Sequence, residues 1–459
     1  MFQDGEKDVK KKAIVLGVAL VLGAGSGAAS AKVSPQEAAK LGQDLTSVGA
    51  EKAGNKDGSI PAWSPAPQRG ALSGEYPDFP DIDAEKPKFT ITQSNMAQYA
   101  DKLTEGHKYL LKTYPDYKMN VYVTHRNVGW PDFIYAATKE NATTCEMIGT
   151  DNPNNCKLGF PFPIPKTGAE PIWNHKLKWR GEAVTRYNNQ FIVQQSGQYQ
   201  QTKIVEDVEF HYASHDHPVP LTKDHGEFLF YLSRTIAPPR IAGTYILVQE
   251  KAGTGAAGRA AWLYSPGLRR IRRAPTVCCD NPYEGTDGHQ FYDQVDMFNG
   301  VLDRYDWKLV GKKEMYIPYD GYVLAGPKTK FRQMIAPRHL NQDIPRYELH
   351  RVWVVEANLK PNTNHTFKKR VMYVDEDGWN IVAVDDYDKR DQLYQFQEGH
   401  YVWAPNIQAG TTIPEIIYHF DSGRYFVTAA ANEDKPNDLT VRFDPGYFTA
   451  DAVQKRTTK

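Results

Sequence analysis

From about residue 170 to its end the chain is a succession of short β-rich runs separated by turn residues, and this spacing constrains the fold more than any other feature. The runs are Gln190 to Gln195, Tyr245 to Glu250, Ala260 to Tyr264, Trp307 to Leu309, Val352 to Ala357, Lys369 to Val374, Asn380 to Asp385, Gln392 to Phe396 and Tyr425 to Ala429. Between them only residues 226–232 and 331–335 read as helical. Parallel strands need long crossover connections, usually helices. Their scarcity predicts an antiparallel meander curved into a barrel or half-barrel. Gly253-Thr254-Gly255-Ala256-Ala257-Gly258 matches the dinucleotide-binding GxGxxG pattern, which should end a strand and open a helix. Here it leads into Arg259 to Tyr264 and then Pro266, another strand, so it reads as a hairpin loop.

The preceding part has a different texture. Ser34-Pro35-Gln36-Glu37 has the form of a helix capping box, with proline at the first helical position. Residues 46–92 read as irregular and proline-rich. Met96, Tyr99, Leu103, His107 and Leu110 then recur at helical spacing, predicting a helix from Asn95 to about Thr113 that Pro115 ends. A second proline-rich coil, 159–165, crosses to the strand-rich part. The division is therefore 1–31 signal peptide, 32–170 helical and proline-rich segment packed on the sheet, and 171–459 β half-barrel.

The signal-peptide reading rests on Lys10, Lys11 and Lys12, an uncharged apolar run from Ala13 to about Ala24, and Ala29-Ser30-Ala31 as the cleavage site. The apolar run falls well short of the ~20 residues that span a bilayer. No cysteine follows the small residues to carry a lipid anchor, so a soluble periplasmic protein is expected. With 55 basic and 55 acidic side chains the chain has no global field to hold nucleic acid. Its four cysteines allow three pairings. The turn-rich stretch 151–155 favours a local bridge, Cys145 to Cys156, with Cys278 and Cys279 free or vicinally bonded. Two crosslinks joining the segments are the rival arrangement.

Chemical motifs are sparse. His211, His215 and His217 stand close together, and on a strand His215 and His217 would share a face suited to a metal. Surface histidines before a proline are the expected reading, and no metal or cofactor is predicted. No GxSxG elbow occurs in the mature chain, and Asp385-Asp386 and Asp375-Glu376-Asp377 are spaced like turns and strand ends, so no enzyme activity is predicted. The densest signal is Trp262 to Pro275. Trp262 and Tyr264 share one strand face, and Arg270 and Arg272 share one face of the next. Guanidinium on both faces of a buried strand needs carboxylate partners or an anionic ligand.

That run, within Arg234 to Gly300, resembles the lipoprotein-sorting LolA-like superfamily and, more closely, a proteobacterial family of unknown function numbered thirteen twenty-nine. Leu45 to Trp63, Tyr305 to Leu309, Arg346 to Leu359, Val371 to Trp379, Glu398 to His400 and Ser422 to Tyr425 match that family too. The resemblance implies an open, curved antiparallel half-barrel with helices over its concave face, enclosing an apolar cavity. It also implies association with a lipid-exporting inner-membrane transporter and an outer-membrane partner. The expected function is a periplasmic carrier of a lipid or other hydrophobic ligand. Trp262, Tyr264, Tyr305 and Trp307 are expected near the cavity, and Arg270 and Arg272 at its polar edge. The alternatives are a structural adaptor that carries nothing, and a periplasmic hydrolase.

Overall fold

Alternating burial shows how these residues become strands. Along Tyr199–Glu209, Thr202, Ile204, Glu206 and Val208 are buried while the residues between them are half-buried or exposed. One face of that strand therefore meets a core. The computed structural model describes residues 32–65, 80–126, 128–214, 220–222, 224–254 and 258–457. The expected signal peptide, His215 and His217 lie outside them.

The strands are β1 Phe89–Ile91, β2 Met119–Val121, β3 Glu146–Ile148, β4 Asn152–Asn154, β5 Ala183–Val193, β6 Tyr199–Glu209, β7 Glu227–Ala237, β8 Tyr245–Lys251 and β9 Arg259–Ser265. They continue as β10 Arg270–Arg273, β11 Tyr305–Pro318, β12 Tyr347–Leu359, β13 Lys369–Asp375, β14 Ile381–Tyr387, β15 Leu393–Ala404, β16 Ala409–His419 and β17 Arg424–Ala430. All except β3 and β4 join one sheet. Its order is β1-β2-β12-β13-β14-β15-β16-β17-β5-β6-β7-β8-β9-β10, with β11 also paired to β12. Two antiparallel meanders, β5 to β10 and β11 to β17, are joined where β17 pairs with β5. Among the described residues no pairing joins β10 to β1, so the curved sheet is an open half-barrel. Strands β8 and β9, which flank the glycine-rich stretch, pair as consecutive antiparallel strands, as the context of that stretch predicts.

The helices are α1 Pro35–Ala38, α2 Pro80–Asp83, α3 Glu105–Thr113, α4 Asp132–Thr144, α5 Ala169–Lys176, α6 Tyr322–Ala325, α7 Phe331–Met334 and α8 Ala450–Thr457. Among the described residues none is long and apolar enough to cross a membrane. The capping box at α1 forms in full. The single helix expected over 95–113 is instead a 3-10 segment, Met96–Lys102, followed by α3. Thr104 breaks it, because its hydroxyl caps α3 by accepting from the His107 N–H at 3.0 Å. The helix expected over 226–232 is the start of β7. That run, Phe228 to Leu232, is apolar without a break because the sheet is covered on both sides there, and continuous apolarity does not separate strand from helix.

Helices cover both faces of the sheet. On one face, α3 packs with Leu110 and Leu111 against Phe396 and Tyr418, and α8 covers Leu232 and Leu247. The first turn of α3 is pinned to the sheet by Asp385, which accepts from the Glu105 and Gly106 N–H groups at 3.1 and 2.8 Å. Gly106 is required there, since a Cβ would lie 2.1 Å from the Phe396 ring. On the opposite face, α5 is buried along its whole length against Val355, Met372 and Val374. The loop 274–304 continues that cover over β7 to β9. Cys145 and Cys156 form the expected disulfide, because the β3–β4 hairpin between them folds the chain back on itself. Cys278 and Cys279 are free thiols side by side.

Candidate functional site

Two cavities adjoin at Arg180, Arg186 and Phe210, and the 274–304 loop covers the first of them. The first, about 60 Å³, is walled by Val208, Leu229, Ile246 and Val248 from the sheet and by Val277 and Val295 from the loop. The second, about 110 Å³, lies between β5, β15 and β16, with Val184, Val402, Ile407 and Leu439 among its walls. Arg180, Arg186 and Phe210 line both and form the partition between them.

Local sequence places the charges. Lys176 ends α5, and Leu177-Lys178-Trp179-Arg180 follows it. Lys176 donates to the Gly300 carbonyl at 2.6 Å and lies 4.8 Å from the Trp173 ring centre. Lys178 and Arg180 converge on one Asp296 oxygen at 2.8 and 2.5 Å, and the Arg180 guanidinium sits 4.5 Å from the Phe210 ring centre. Arg186 pairs with Glu206 at 2.8 Å, and Arg259 with Glu250. His175 is fixed as one tautomer: Nδ1 accepts from the Ile381 N–H at 3.0 Å, so Nε2 donates to the Asp296 carbonyl at 2.7 Å.

Burial dominates the electrostatics. It lowers Lys176 to about 8 and Lys178 to about 7, and with the Lys178 charge it lowers His175 to about 3. Burial also pushes up the Glu415 carboxyl, with Asp296 adding to it, to about 8. Asp296 is buried too, but Arg180 and Lys178 outweigh that and hold it ionised well below the usual carboxylate range. The first cavity thus carries four cationic side chains, Lys176, Arg180, Arg186 and Arg259, against two carboxylates, Glu250 and Asp296. Apolar walls beside a cationic centre match the chemistry of an anionic group carried on an apolar body.

None of the six residues expected at the site lines either cavity. Trp262 and Tyr264 do share a face, but it is the one turned away from the cavities. Trp262 pairs in register with Leu247, whereas the cavity takes Ile246 and Val248. Both aromatics pack beneath Phe448 and Val453 of the C-terminal segment. Arg270 and Arg272 are exposed on β10, the last strand in the order, and form no ion pair among the described residues. Water solvates them, so the expected need for carboxylate partners does not arise. Tyr305 and Trp307 come together at the start of β11, their ring centres 6.0 Å apart. The Trp307 indole donates to the Leu302 carbonyl at 2.7 Å, so this pair holds the loop that roofs the first cavity. His211 lies 3.5 Å from Glu209 and stacks on Phe230. The signal the sequence offers for the site's cations is local charge density, with Lys176, Lys178 and Arg180 falling within one short stretch.

Thr104, His107 and Glu398 imitate a catalytic triad. The Thr104 hydroxyl is 2.9 Å from His107 Nδ1, and Nε2 is 2.9 Å from Glu398. All three are fully buried, none lines either cavity, and Thr104 already caps α3. The relay fastens a helix to the sheet.

A family model described as "Protein of unknown function (DUF1329)" matches residues 90–454. An uncharacterized protein of Pseudomonas aeruginosa, PA3922, is 43% identical over 415 residues, covering 88% of this chain and 90% of that protein. Among solved structures, a DUF1329 family protein from Desulfovibrio piger is 15% identical with a TM-score of 0.43, covering 62% of this chain and 97% of that one. A putative outer membrane lipoprotein-sorting protein domain from Vibrio parahaemolyticus is 13% identical with a TM-score of 0.42, covering 62% and 97%. A LolA superfamily protein from Nitrosomonas europaea is 10% identical with a TM-score of 0.37, covering 63% and 100%. A family match over most of the chain, joined to the Pseudomonas relative, shows that this chain belongs to the DUF1329 family.

Proposed function

We propose that this chain is a periplasmic carrier that holds a hydrophobic ligand with an anionic group in the paired cavities and shuttles it between an inner-membrane transporter and the outer membrane. The observation that carries this reading is the partition of Arg180, Phe210 and Arg186 between two apolar-walled cavities. Each methylene of an acyl chain moved from water onto such walls contributes about 0.8 kcal/mol. Arg180 and Arg186 supply the charge-assisted bonds that orient the head. The address rests on the N-terminal sequence and is supported by the Cys145–Cys156 bridge, which persists in oxidising compartments. The shuttle route rests on the family resemblance.

The test is titration of purified, delipidated protein with a fluorescent fatty acid, beside mass spectrometry of lipid retained by protein from native periplasm. Leu229→Trp, which fills the first cavity from its wall, is expected to weaken binding at least about tenfold, or about 1.4 kcal/mol. Protein that emerges empty and takes up no fatty acid saturably would sink the carrier reading.

A further inference from the structure

We propose that His350, Asp375 and Asp377 bind a divalent transition-metal ion of the zinc or manganese class, at a site separate from the cavities. One ring nitrogen of His350 and one carboxylate oxygen from each aspartate lie within 4.8 Å of one another. All three residues are 2% exposed or less.

The tautomer of His350 follows from its partner. Nε2 is 3.1 Å from Glu348, whose other oxygen accepts from Arg346 at 2.7 Å, so the ionised carboxylate can only accept and Nε2 carries the proton. Nδ1 is left with a bare lone pair, and it is buried without a hydrogen-bond partner. Asp375 accepts from the Gly378 N–H at 2.7 Å through one oxygen, and its other oxygen is buried without a partner. Two orphaned acceptors beside a third carboxylate have nothing to hold them together except a proton or a cation.

Charge bookkeeping points the same way. Arg126 grips Asp377 at 2.7 and 2.9 Å, Arg351 binds Glu376 at 3.1 Å, and Lys312 bridges Glu376 and Glu51 at 2.8 and 3.0 Å. Three cations thus face four carboxylates, and Asp375 is the surplus. A buried surplus charge is costly, and a bound cation offsets it. Glycine at 378 lets the backbone close on the Asp375 carboxylate, since a Cβ there would lie 3.0 Å from the Tyr401 hydroxyl and 3.1 Å from Asp375. The Tyr319 and Tyr401 hydroxyls and the Asn380 side-chain amide oxygen are likewise buried without partners.

One imidazole and two carboxylates suit zinc or manganese, and the mixed set disfavours the all-oxygen preference of calcium and magnesium. The Glu348–His350 bond is the carboxylate–histidine support that metal ligands commonly have. Nothing here depends on the ligand carried in the cavities.

The experiment uses the full chain, dialysed against EDTA and then titrated with zinc chloride or manganese chloride by calorimetry, with metal content read by mass spectrometry. The expected result is saturable uptake of one ion per chain, with a rise in Tm that EDTA reverses. Asp375→Asn keeps the side chain's size and removes the surplus charge, so its metal-free form should melt at or above the Tm of metal-free wild type. Its affinity for the ion should fall by more than about a hundredfold. The proposal is overturned if wild type binds neither ion at millimolar concentration with no change in Tm, or if Asp375→Asn binds as wild type does.

Discussion

Replacing Arg180 by methionine separates the two jobs assigned to it. Its guanidinium is 2.5 Å from Asp296 and stacks over Phe210, but Lys178 holds the same Asp296 oxygen at 2.8 Å. The substitution therefore leaves Asp296 paired. Its stability cost should be about 1–2 kcal/mol, below the 3–5 kcal/mol of a buried pair broken outright. Binding should respond more strongly. A charge-assisted hydrogen bond is worth about 1.5–3 kcal/mol, roughly a ten- to 150-fold loss of affinity for a long-chain fatty acid. The matching fatty alcohol presents the same tail without the charge and should bind wild type and variant within about twofold. Competitive displacement of a fluorescent fatty acid reads both ligands on the same protein, and urea unfolding reads stability. Equal losses for acid and alcohol would refute the head-group role of Arg180, and so would no loss for either.

Other expectations follow from the same geometry. Trp262→Ala should lower stability by about 2–3 kcal/mol through lost packing under the C-terminal segment, yet leave fatty-acid affinity unchanged in the same displacement assay. Arg370→Met removes a buried cation that pairs with Asp386 at 2.8 Å and Asp293 at 3.0 Å, so urea unfolding should show a loss of about 3–5 kcal/mol; a change below about 1 kcal/mol would contradict the buried-pair account. Glu415, raised to about 8, binds more protons folded than unfolded between its ordinary range and that value. Its contribution is complete below about pH 4.5 and is lost as pH rises toward 8. Glu415→Gln should thus gain stability relative to wild type as pH rises through that window, and a pH-independent difference between their urea midpoints would contradict this.

The antiparallel class was legible because strand spacing and turn residues are local properties. The α1 capping box and the Cys145–Cys156 bridge were legible for the same reason, each lying within one short stretch. Strand phase was legible as well, since Trp262 and Tyr264 do share a face. Which side of the sheet that face meets was not, because it depends on where α8 docks, some 190 residues farther along the chain. Helix α5 was not legible for a different reason: every residue of Ala169–Lys176 is buried, Glu170, Asn174, His175 and Lys176 included, so its polar positions do not mark a solvent face. The cationic run Lys176 to Arg180 was visible, but its partner Asp296 lies more than a hundred residues away.

The roof of the first cavity is fastened by charge as well as by apolar contact, and the charged ties bear on how a ligand would enter. Asp293 ties the loop to Arg370 and His365, Asp296 ties it to Lys178 and Arg180, and the Asn299 and Gly300 carbonyls accept from Arg259 and Lys176. In three of these four ties the cation belongs to the sheet or to α5 and its extension and also lines the cavity, while the loop supplies the acceptor. An apolar seal would have to be exposed to water before a ligand could pass. An ionic seal can be exchanged, because a carboxylate entering on an acyl chain replaces Asp296 or a backbone carbonyl without leaving a buried cation bare. Removing one partner of a buried pair is costly because it leaves the other charge unpaired, and an incoming anion that takes the vacated place avoids that cost. On the carrier reading the roof therefore yields to an anionic amphiphile and resists a neutral one, so the acid–alcohol comparison at Arg180 tests entry together with binding.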